Sequence, residues 1–249
     1  MRLIDRVAHH NRWRRRHPLE KLVLALGMLL LDLVLPPYPA GPIIAAIMLA
    51  AAIGGAGVPV VAYLRLLLAP VGFVLAGAAA VMVGVAGEPG VGWHLVLLPA
   101  GRIMALKLVL RALTAIASLN FLILTTPVED LLPLFRRWRV PGAIVDLILV
   151  TYRFLFVFSD TLEAMRTAQD IRLGYSSWRR TYRSLAMLTA AFLGRVLDRA
   201  RRLEMGLATR GYRGDFPVLI DEGRPSWPVV GGILALQLAT AFLSLHLSR

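Results

Sequence analysis

Three histidines near the start of the sequence are the first residues that could bind a metal ion. His9, His10 and His17 follow Asp5 within a short segment, and imidazole is a common ligand of nickel and similar ions. The same segment carries six arginines before residue 17, and their positive charge repels cations. We therefore interpret these histidines as solvated side chains and predict that this chain has no metal site.

The lysines and cysteines exclude several kinds of catalytic site. Only Lys21 and Lys107 are present, and neither follows a glycine. The Gly-Lys-Ser/Thr sequence that binds nucleotide phosphates is therefore absent. The chain has no cysteine, which removes thiol nucleophiles and zinc ribbons, and it has no Gly-x-Ser-x-Gly or His-Glu-x-x-His motif. We expect a protein that is not an enzyme.

Two segments that end predicted helices repeat the same order of residue types. One reads Ile171-Arg172-Leu173-Gly174-Tyr175 and the other Thr209-Arg210-Gly211-Tyr212. Either one alone is an ordinary helix end, because a cation in the last turn and a following glycine are common there. Their repetition in one basic segment indicates a docking surface, since a guanidinium pairs bidentately with carboxylates. We also assign Arg136, Arg137 and Arg153 to a partner interface.

The composition shows which elements must position these arginines. Of 249 residues, 57% are hydrophobic and 17% charged, and the mean hydropathy is +0.67. Soluble proteins carry about 25% charged residues. The 28 Lys and Arg against 15 Asp and Glu give a net charge of +13, which we attribute to membrane topology and not to nucleic-acid binding. The sequence predicts an all-α integral membrane protein.

Uncharged stretches predict about five membrane spans, since a helix needs about 20 apolar residues to cross a bilayer. They cover residues 22–35, 42–57, 66–87, a fourth stretch that begins after Trp93 and ends within 112–126, and residues 225–248. The first apolar run lacks a cleavage site, so we interpret it as a retained span. Residues 142–158 also look like a span, but Asp146 and Arg153 each cost about 2.5–3.5 kcal/mol at a helix centre. We predict that this stretch lies at the interface.

The distribution of basic residues orients these spans. Seven Lys and Arg within residues 1–21 place the N-terminus in the cytoplasm by the positive-inside rule. Residues 1–126 then form an arm and four spans, and residues 227–249 form the fifth. Residues 127–226 form a cytoplasmic or interfacial region with helices at about 128–138, 142–173 and 179–210. Lys107 and Arg111 lie four residues apart on the fourth span, where they either line a transport path or face a neighbour or the interface.

Several of these motifs together resemble the T component of energy-coupling factor (ECF) transporters, in the cobalt/nickel branch called CbiQ or NikQ. The resemblance covers most of the chain. It rests on Ile4-Asp5, Ala8, Asn11-Arg12-Trp13, His17-Pro18 and Lys21, on Thr125-Thr126-Pro127, on Pro141 and Arg153, and on the two arginine motifs.

The resemblance implies a multi-pass subunit of a prokaryotic inner membrane that binds no cofactor itself. Two ATP-binding cassette ATPases hold ATP and magnesium, and a separate membrane S component holds the cobalt or nickel ion. In the family, Ala-Arg-Gly motifs end the coupling helices that insert into the ATPases. Here the corresponding residues are Ile171-Arg172-Leu173 and Thr209-Arg210-Gly211. The alternative is a membrane scaffold whose basic hairpin binds anionic partners without transport.

Overall fold

The computed structural model describes residues 7–88, 92–97, 99–212 and 225–248, and these residues form two compact units. One unit takes in the described residues within Met1–Leu131 and Glu222–Arg249, and the other takes in those within Leu132–Asp221. Ile4 and Asp5, which contribute to the family resemblance, lie outside the described residues.

The first unit contains most of the apolar helices. Its elements are α1 (Pro18–Val34), α2 (Pro37–Ala50) with a π-helical end (Ala51–Gly55), α3 (Val60–Leu68), α4 (Val71–Met82), β1 (Val83–Glu88), β2 (Gly92–Leu97), α5 (Pro99–Thr125) and α9 (Trp227–Leu247). Helix α5 packs against α1, α2, α3 and α4, and α9 packs against α1 and α2. Met28, Ile44, Tyr63 and Phe121 are fully buried between these helices. The core of this unit therefore surrounds α5.

Five helices of the described ranges are long and apolar enough to cross a membrane. They are Pro37–Gly55, Val60–Met82, Gly101–Thr125, Gly142–Ile171 and Trp227–Leu247. The all-α membrane fold is thus confirmed, and the number of candidate spans equals the five predicted, but the set differs from the prediction. Helix α1, which contains the predicted first span, is not among them, and its 17 residues extend only about 26 Å. The helix that begins at Gly142, whose first part was predicted to lie at the interface, is among them and has 30 residues. The side of the membrane on which each helix end lies stays a prediction.

The predicted limits of the second and third spans are wrong by up to six residues. The observed helices begin at Pro37 and Val60, whereas the prediction began the second span at residue 42 and the third at residue 66, directly after the charge of Arg65. The reason is that Arg65 lies inside α3, which begins directly after Pro59. Proline suits a helix start because its fixed φ is helical and its missing N–H is not needed there.

A short β-hairpin follows α4, and the sequence analysis did not predict it. Strands β1 and β2 pair antiparallel, with Val83 opposite Leu97 and Glu88 opposite Gly92. The third span was predicted to continue to residue 87, but its helix ends at Met82. The sequence that follows alternates Val and Gly, and both β-branched residues and glycine have low helix propensity.

The N-terminal arm binds the C-terminal end of α5. Lys21, 1% exposed, donates from Nζ to the Thr125 carbonyl at 2.9 Å. Asn11 donates from Nδ2 to the carbonyls of Leu124 and Thr125 at 3.2 and 3.3 Å. The last carbonyls of a helix lack partners within the helix, and a cation there interacts favourably with its dipole. Two parts of the family resemblance that are more than 100 residues apart thus meet in this unit.

Aromatic and ionic contacts strengthen this attachment. The ring of Trp13 lies edge-on to Phe121, with centroids 5.7 Å apart, and the guanidinium of Arg16 lies 4.7 Å from the centroid of Trp13. Arg14 forms an ion pair with Asp130. The described part of the arm, from residue 7 onward, therefore packs on the first unit.

Arg111 caps a neighbouring helix within the chain. Its Nη2 donates to the carbonyls of Leu33 and Leu35 at 3.1 and 3.0 Å, at the end of α1. Arg111 was predicted either to line a transport path or to face a neighbour or the interface. These bonds favour contact with a neighbouring helix of the same chain. Lys107 is exposed.

Helix α6 extends over Val128–Arg137, and the second unit begins within it at Leu132. The unit continues with α7 (Gly142–Ile171) and α8 (Trp178–Thr209). These helices lie within two residues of the predicted limits of 128–138, 142–173 and 179–210. Glu129 and Asp130 occupy the first turn of α6, where carboxylates stabilise the helix dipole. Ser177 begins α8, because its side chain accepts a hydrogen bond from the backbone N–H of Arg180.

Candidate functional site

Helices α7 and α8 form an antiparallel hairpin, and this hairpin positions the two arginine motifs. Phe158 packs against Phe192 with centroids 5.9 Å apart, and the guanidinium of Arg199 lies 5.9 Å from the centroid of Phe154. At the turn, Gln169 Nε2 donates to the Ser184 carbonyl at 3.1 Å. In these three contacts the residue number on α7 rises as the residue number on α8 falls, so the helices are antiparallel.

The hairpin separates Arg172 and Arg210. Arg172 follows α7 at the turn, and Arg210 follows α8 at its far end. Since α8 has 32 residues, the separation along the hairpin is about 48 Å. Both side chains are exposed. The predicted helix at about 179–210 has the same length, and this separation allows two separate contacts with partners.

A network of hydrogen bonds fixes the turn that carries Arg172. The Gly174 N–H donates to the Gln169 carbonyl at 2.9 Å, and Ser184 Oγ donates to the Gly174 carbonyl at 3.0 Å. Tyr175 donates from its hydroxyl to Gln169 Oε1 at 2.8 Å. Because these bonds join the turn to the end of α7 and to α8, Arg172 is held on a defined backbone.

Gly174 does not end α7 in the way its position in the sequence suggested. The helix ends at Ile171, and Leu173 adopts the left-handed conformation with φ +58°. A Cβ on Gly174 would lie 2.7 Å from Ser184 Oγ and 2.8 Å from the Gln169 carbonyl oxygen. Glycine is therefore needed at residue 174 for close packing between α7 and α8, and the residue that reverses the chain is Leu173.

The second motif has the conventional geometry of a glycine helix end. Gly211 adopts φ +69°, and the Tyr212 N–H donates to the Leu207 carbonyl at 3.0 Å. Thr209 Oγ1 donates to the Gly206 carbonyl at 3.0 Å. Glycine reaches this conformation without the steric cost that a Cβ adds, so the Arg210 end carries no strained residue.

Exposed apolar residues lie close to Arg172 in the sequence, and of these Trp178 was not part of the predicted motif. Ile171 is 79% exposed and Trp178 is 87% exposed, and Leu173 lies between them in the sequence. Large exposed apolar side chains of this kind are candidates for contact with a protein or a membrane. The sequence does contain a signal for Trp178. It directly follows Ser177, a residue type that caps helices, so it lies at a helix start next to the turn.

The three further arginines predicted at a partner interface differ from one another. Arg136 Nη2 binds Asp146 Oδ1 at 3.1 Å, and Asp146 is buried. This pair joins α6 to α7 and gives Arg136 a structural role within the unit. Arg137 and Arg153 are exposed, so their assignment to a partner interface stays a prediction.

Leu173 offers a test of backbone strain at the first motif. A left-handed conformation costs a residue with a Cβ about 1–2 kcal/mol, whereas glycine adopts it freely but loses about 0.5–1 kcal/mol more chain entropy on folding. We expect Leu173→Gly to raise the stability of the detergent-solubilised chain slightly, by about 0.5 kcal/mol. Thermal unfolding measures this effect, and a marked loss of stability would show that the Leu173 side chain makes a needed contact.

Residues with metal-binding side chains do not cluster in the described part of the chain. No group of three or more His, Asp or Glu there could hold a metal ion. His17 Nδ1 accepts from the Leu19 N–H at 3.2 Å, which caps α1. Asp5, the fourth member of the histidine segment, lies outside the described residues.

Comparison with known proteins identifies the family to which this hairpin and membrane unit belong. The sequence profile of CbiQ, described as a cobalt transport protein, matches residues 10–218. The chain belongs to the CbiQ family. It is 44% identical over 236 residues to the cobalt transport protein CbiQ of Rhodobacter capsulatus, covering 95% of both chains. It is 33% identical over 221 residues to CbiQ of Salmonella typhimurium, covering 86% of this chain and 98% of that one.

A third relative of the CbiQ family is longer. The chain is 29% identical over 229 residues to a protein of Methanocorpusculum labreanum that is named as a fused cobalt transport protein CbiMQ. The match covers 89% of this chain but 38% of that protein. The CbiQ match includes α7, α8 and both arginine motifs, so the described hairpin lies within the family's shared region.

Proposed function

We propose that this chain is the transmembrane coupling (T) subunit of an ATP-driven ECF-type importer of cobalt or nickel ions. It transmits conformational change from two ATP-binding cassette ATPases to a separate membrane S component that holds the ion. ATP and magnesium belong to the ATPases. The observation that carries the proposal is the pair of exposed arginines at opposite ends of one hairpin, about 48 Å apart.

The chemistry of the two ends supports contact with two protein partners. An exposed guanidinium binds a carboxylate bidentately, and the apolar side chains of Ile171 and Trp178 beside Arg172 add contact area. The rigid turn at Gly174 lets a push on Arg172 move α7 and α8 together. The fused relative supports a functional pairing with a second polypeptide, because most of its length lies outside the match.

The proposal is tested by purifying the tagged chain from the membranes of its own host and measuring ATP hydrolysis. We expect an ATP-binding cassette ATPase to co-purify and its hydrolysis to rise with cobalt or nickel. We expect the chain alone to show no hydrolysis and no stoichiometric metal binding by calorimetry. Salt-sensitive binding of anionic lipid or nucleic acid without an ATPase would favour the scaffold function instead.

Single-cysteine labelling tests the proposed topology, which has the N-terminus in the cytoplasm of a prokaryotic inner membrane. The native chain has no cysteine, so Ser176→Cys and Ser248→Cys give clean signals. We expect an impermeant thiol reagent to label residue 248 in intact cells and residue 176 only after the cytoplasm is opened. Labelling of residue 176 from outside would mean that α7 crosses the membrane, as its length and apolarity allow.

A further inference from the structure

An apolar cavity of about 480 Å³ lies between α7 and α8. Its lining includes Phe154, Leu155, Phe158, Leu162, Phe192 and Val196. The side chains come from both helices of the hairpin, and they lie well away from Arg172 and Arg210. We call this cavity the trough.

A second cavity, of about 390 Å³, adjoins the trough and has a different character. It shares Phe158, Phe192 and Arg199 with the trough. It adds Arg195 and Arg202, and its acidic residue is Asp198. With three arginines against one carboxylate, this recess favours an anionic group. We call it the basic recess.

Arg199 joins the two cavities. Its guanidinium lies 5.9 Å from the centroid of Phe154, within the distance at which a cation interacts with an aromatic face. Phe154 lines the trough. A charged group and an apolar surface are therefore held side by side, and this pairing suits a ligand with an anionic head and an apolar tail.

The size of the trough indicates what kind of tail it holds. Its lining on α7 extends from Val150 to Leu162, which is about 18 Å along the helix. This length and the apolar lining suit one extended acyl chain lying along the groove between the two helices.

We propose that the hairpin binds an anionic phospholipid, with one acyl chain in the trough and the phosphate on Arg195, Arg199 and Arg202. The inference rests on the proposed placement of the hairpin at the cytoplasmic face of the membrane, where anionic lipids concentrate basic segments. The bound lipid fills an apolar space between two helices that must move as one body. It thus makes the coupling hairpin dependent on the lipid composition of the membrane.

Titration of the full chain in neutral detergent with fluorescent dioleoyl phosphatidylglycerol tests this site. We expect the chain to bind this lipid more tightly than phosphatidylcholine. Each basic residue near an anionic membrane contributes about 1 kcal/mol, which is roughly fivefold in affinity. The variants Arg195→Gln, Arg199→Gln and Arg202→Gln should each therefore bind the lipid roughly fivefold more weakly. Val196→Phe fills the trough and should weaken both lipids. Arg201→Gln is the matched control, because Arg201 is exposed on the same helix and lines neither cavity.

Two outcomes would overturn the proposal. If Arg201→Gln weakens binding as much as the recess variants do, the helix is a diffuse basic surface. If Val196→Phe leaves lipid affinity unchanged but releases a co-purifying membrane protein, a partner side chain occupies the trough. Dihexanoyl phosphatidylglycerol, whose short chains cannot fill the trough, should bind weakly if the site is as proposed. ATPase co-purification is scored separately, so failure of the lipid site is distinguishable from failure of the coupling function.

Discussion

Arg172→Ala and Arg210→Ala are each expected to weaken association with the proposed ATPase partners by roughly 2–5 kcal/mol or to uncouple ATP hydrolysis from uptake. If each guanidinium pairs with carboxylates in a desolvated groove, its removal leaves those charges buried without a partner. The fold of the chain should remain intact, because both side chains are exposed at helix ends. The measurements are ATPase co-purification, metal-stimulated hydrolysis, and thermal unfolding of the chain.

Two matched variants make this test specific. Lysine at either position should rescue function only in part, since an ammonium cannot form the bidentate contact. Arg201→Ala should have little effect, because Arg201 is exposed on α8 away from both ends. Arg199 is a poor control because it lies over Phe154. If Arg201→Ala is as harmful as Arg172→Ala, the helix ends have no special role.

The elements of the second unit could be predicted closely because their limits are encoded locally. Pro141 precedes α7, and Ser177 caps α8. Proline before a helix and a serine cap are signals within one turn of sequence. In the first unit, charge gaps were poorer guides, since a basic residue such as Arg65 is tolerated close to the start of the apolar segment Val60–Met82.

Contacts between distant parts of the chain could not be predicted from the sequence. Nothing near Lys21 indicates that its ammonium binds the Thr125 carbonyl 104 residues later. Lys21 belongs to the basic segment of residues 1–21, and it is buried. The same holds for the trough, because the apolar stripes of α7 and α8 were recognised but the space left between them depends on how the helices pack.

At the first motif, the residue types were predicted but their division of roles was not. The sequence analysis gave Gly174 the role of helix stop, which the structure assigns to Leu173 at φ +58°. The role of Gly174 depends on Ser184, ten residues later on another helix. A steric requirement between two helices has no local signature, whereas the position of Arg172 at the end of α7 does.

Gly174→Ala is therefore expected to be the most disruptive small substitution in the hairpin. The added Cβ would meet Ser184 Oγ at 2.7 Å and the Gln169 carbonyl oxygen at 2.8 Å. A backbone atom cannot move aside alone, so the turn must shift, at a cost of about 1–3 kcal/mol for overpacking. We expect lower thermal stability and a loss of ATPase coupling as large as that of Arg172→Ala, because Arg172 moves with the turn.

Gly206→Ala provides the control for this prediction, because a Cβ there meets nothing within 4 Å. Alanine in a helix interior is favoured over glycine by about 1 kcal/mol, so this variant should be slightly more stable and fully coupled. Ser184→Ala combined with Gly174→Ala removes one of the two close contacts but leaves the Gln169 carbonyl, so the double variant should recover only in part. Full coupling in Gly174→Ala alone would mean that the rigid turn does not transmit force from Arg172 to the hairpin.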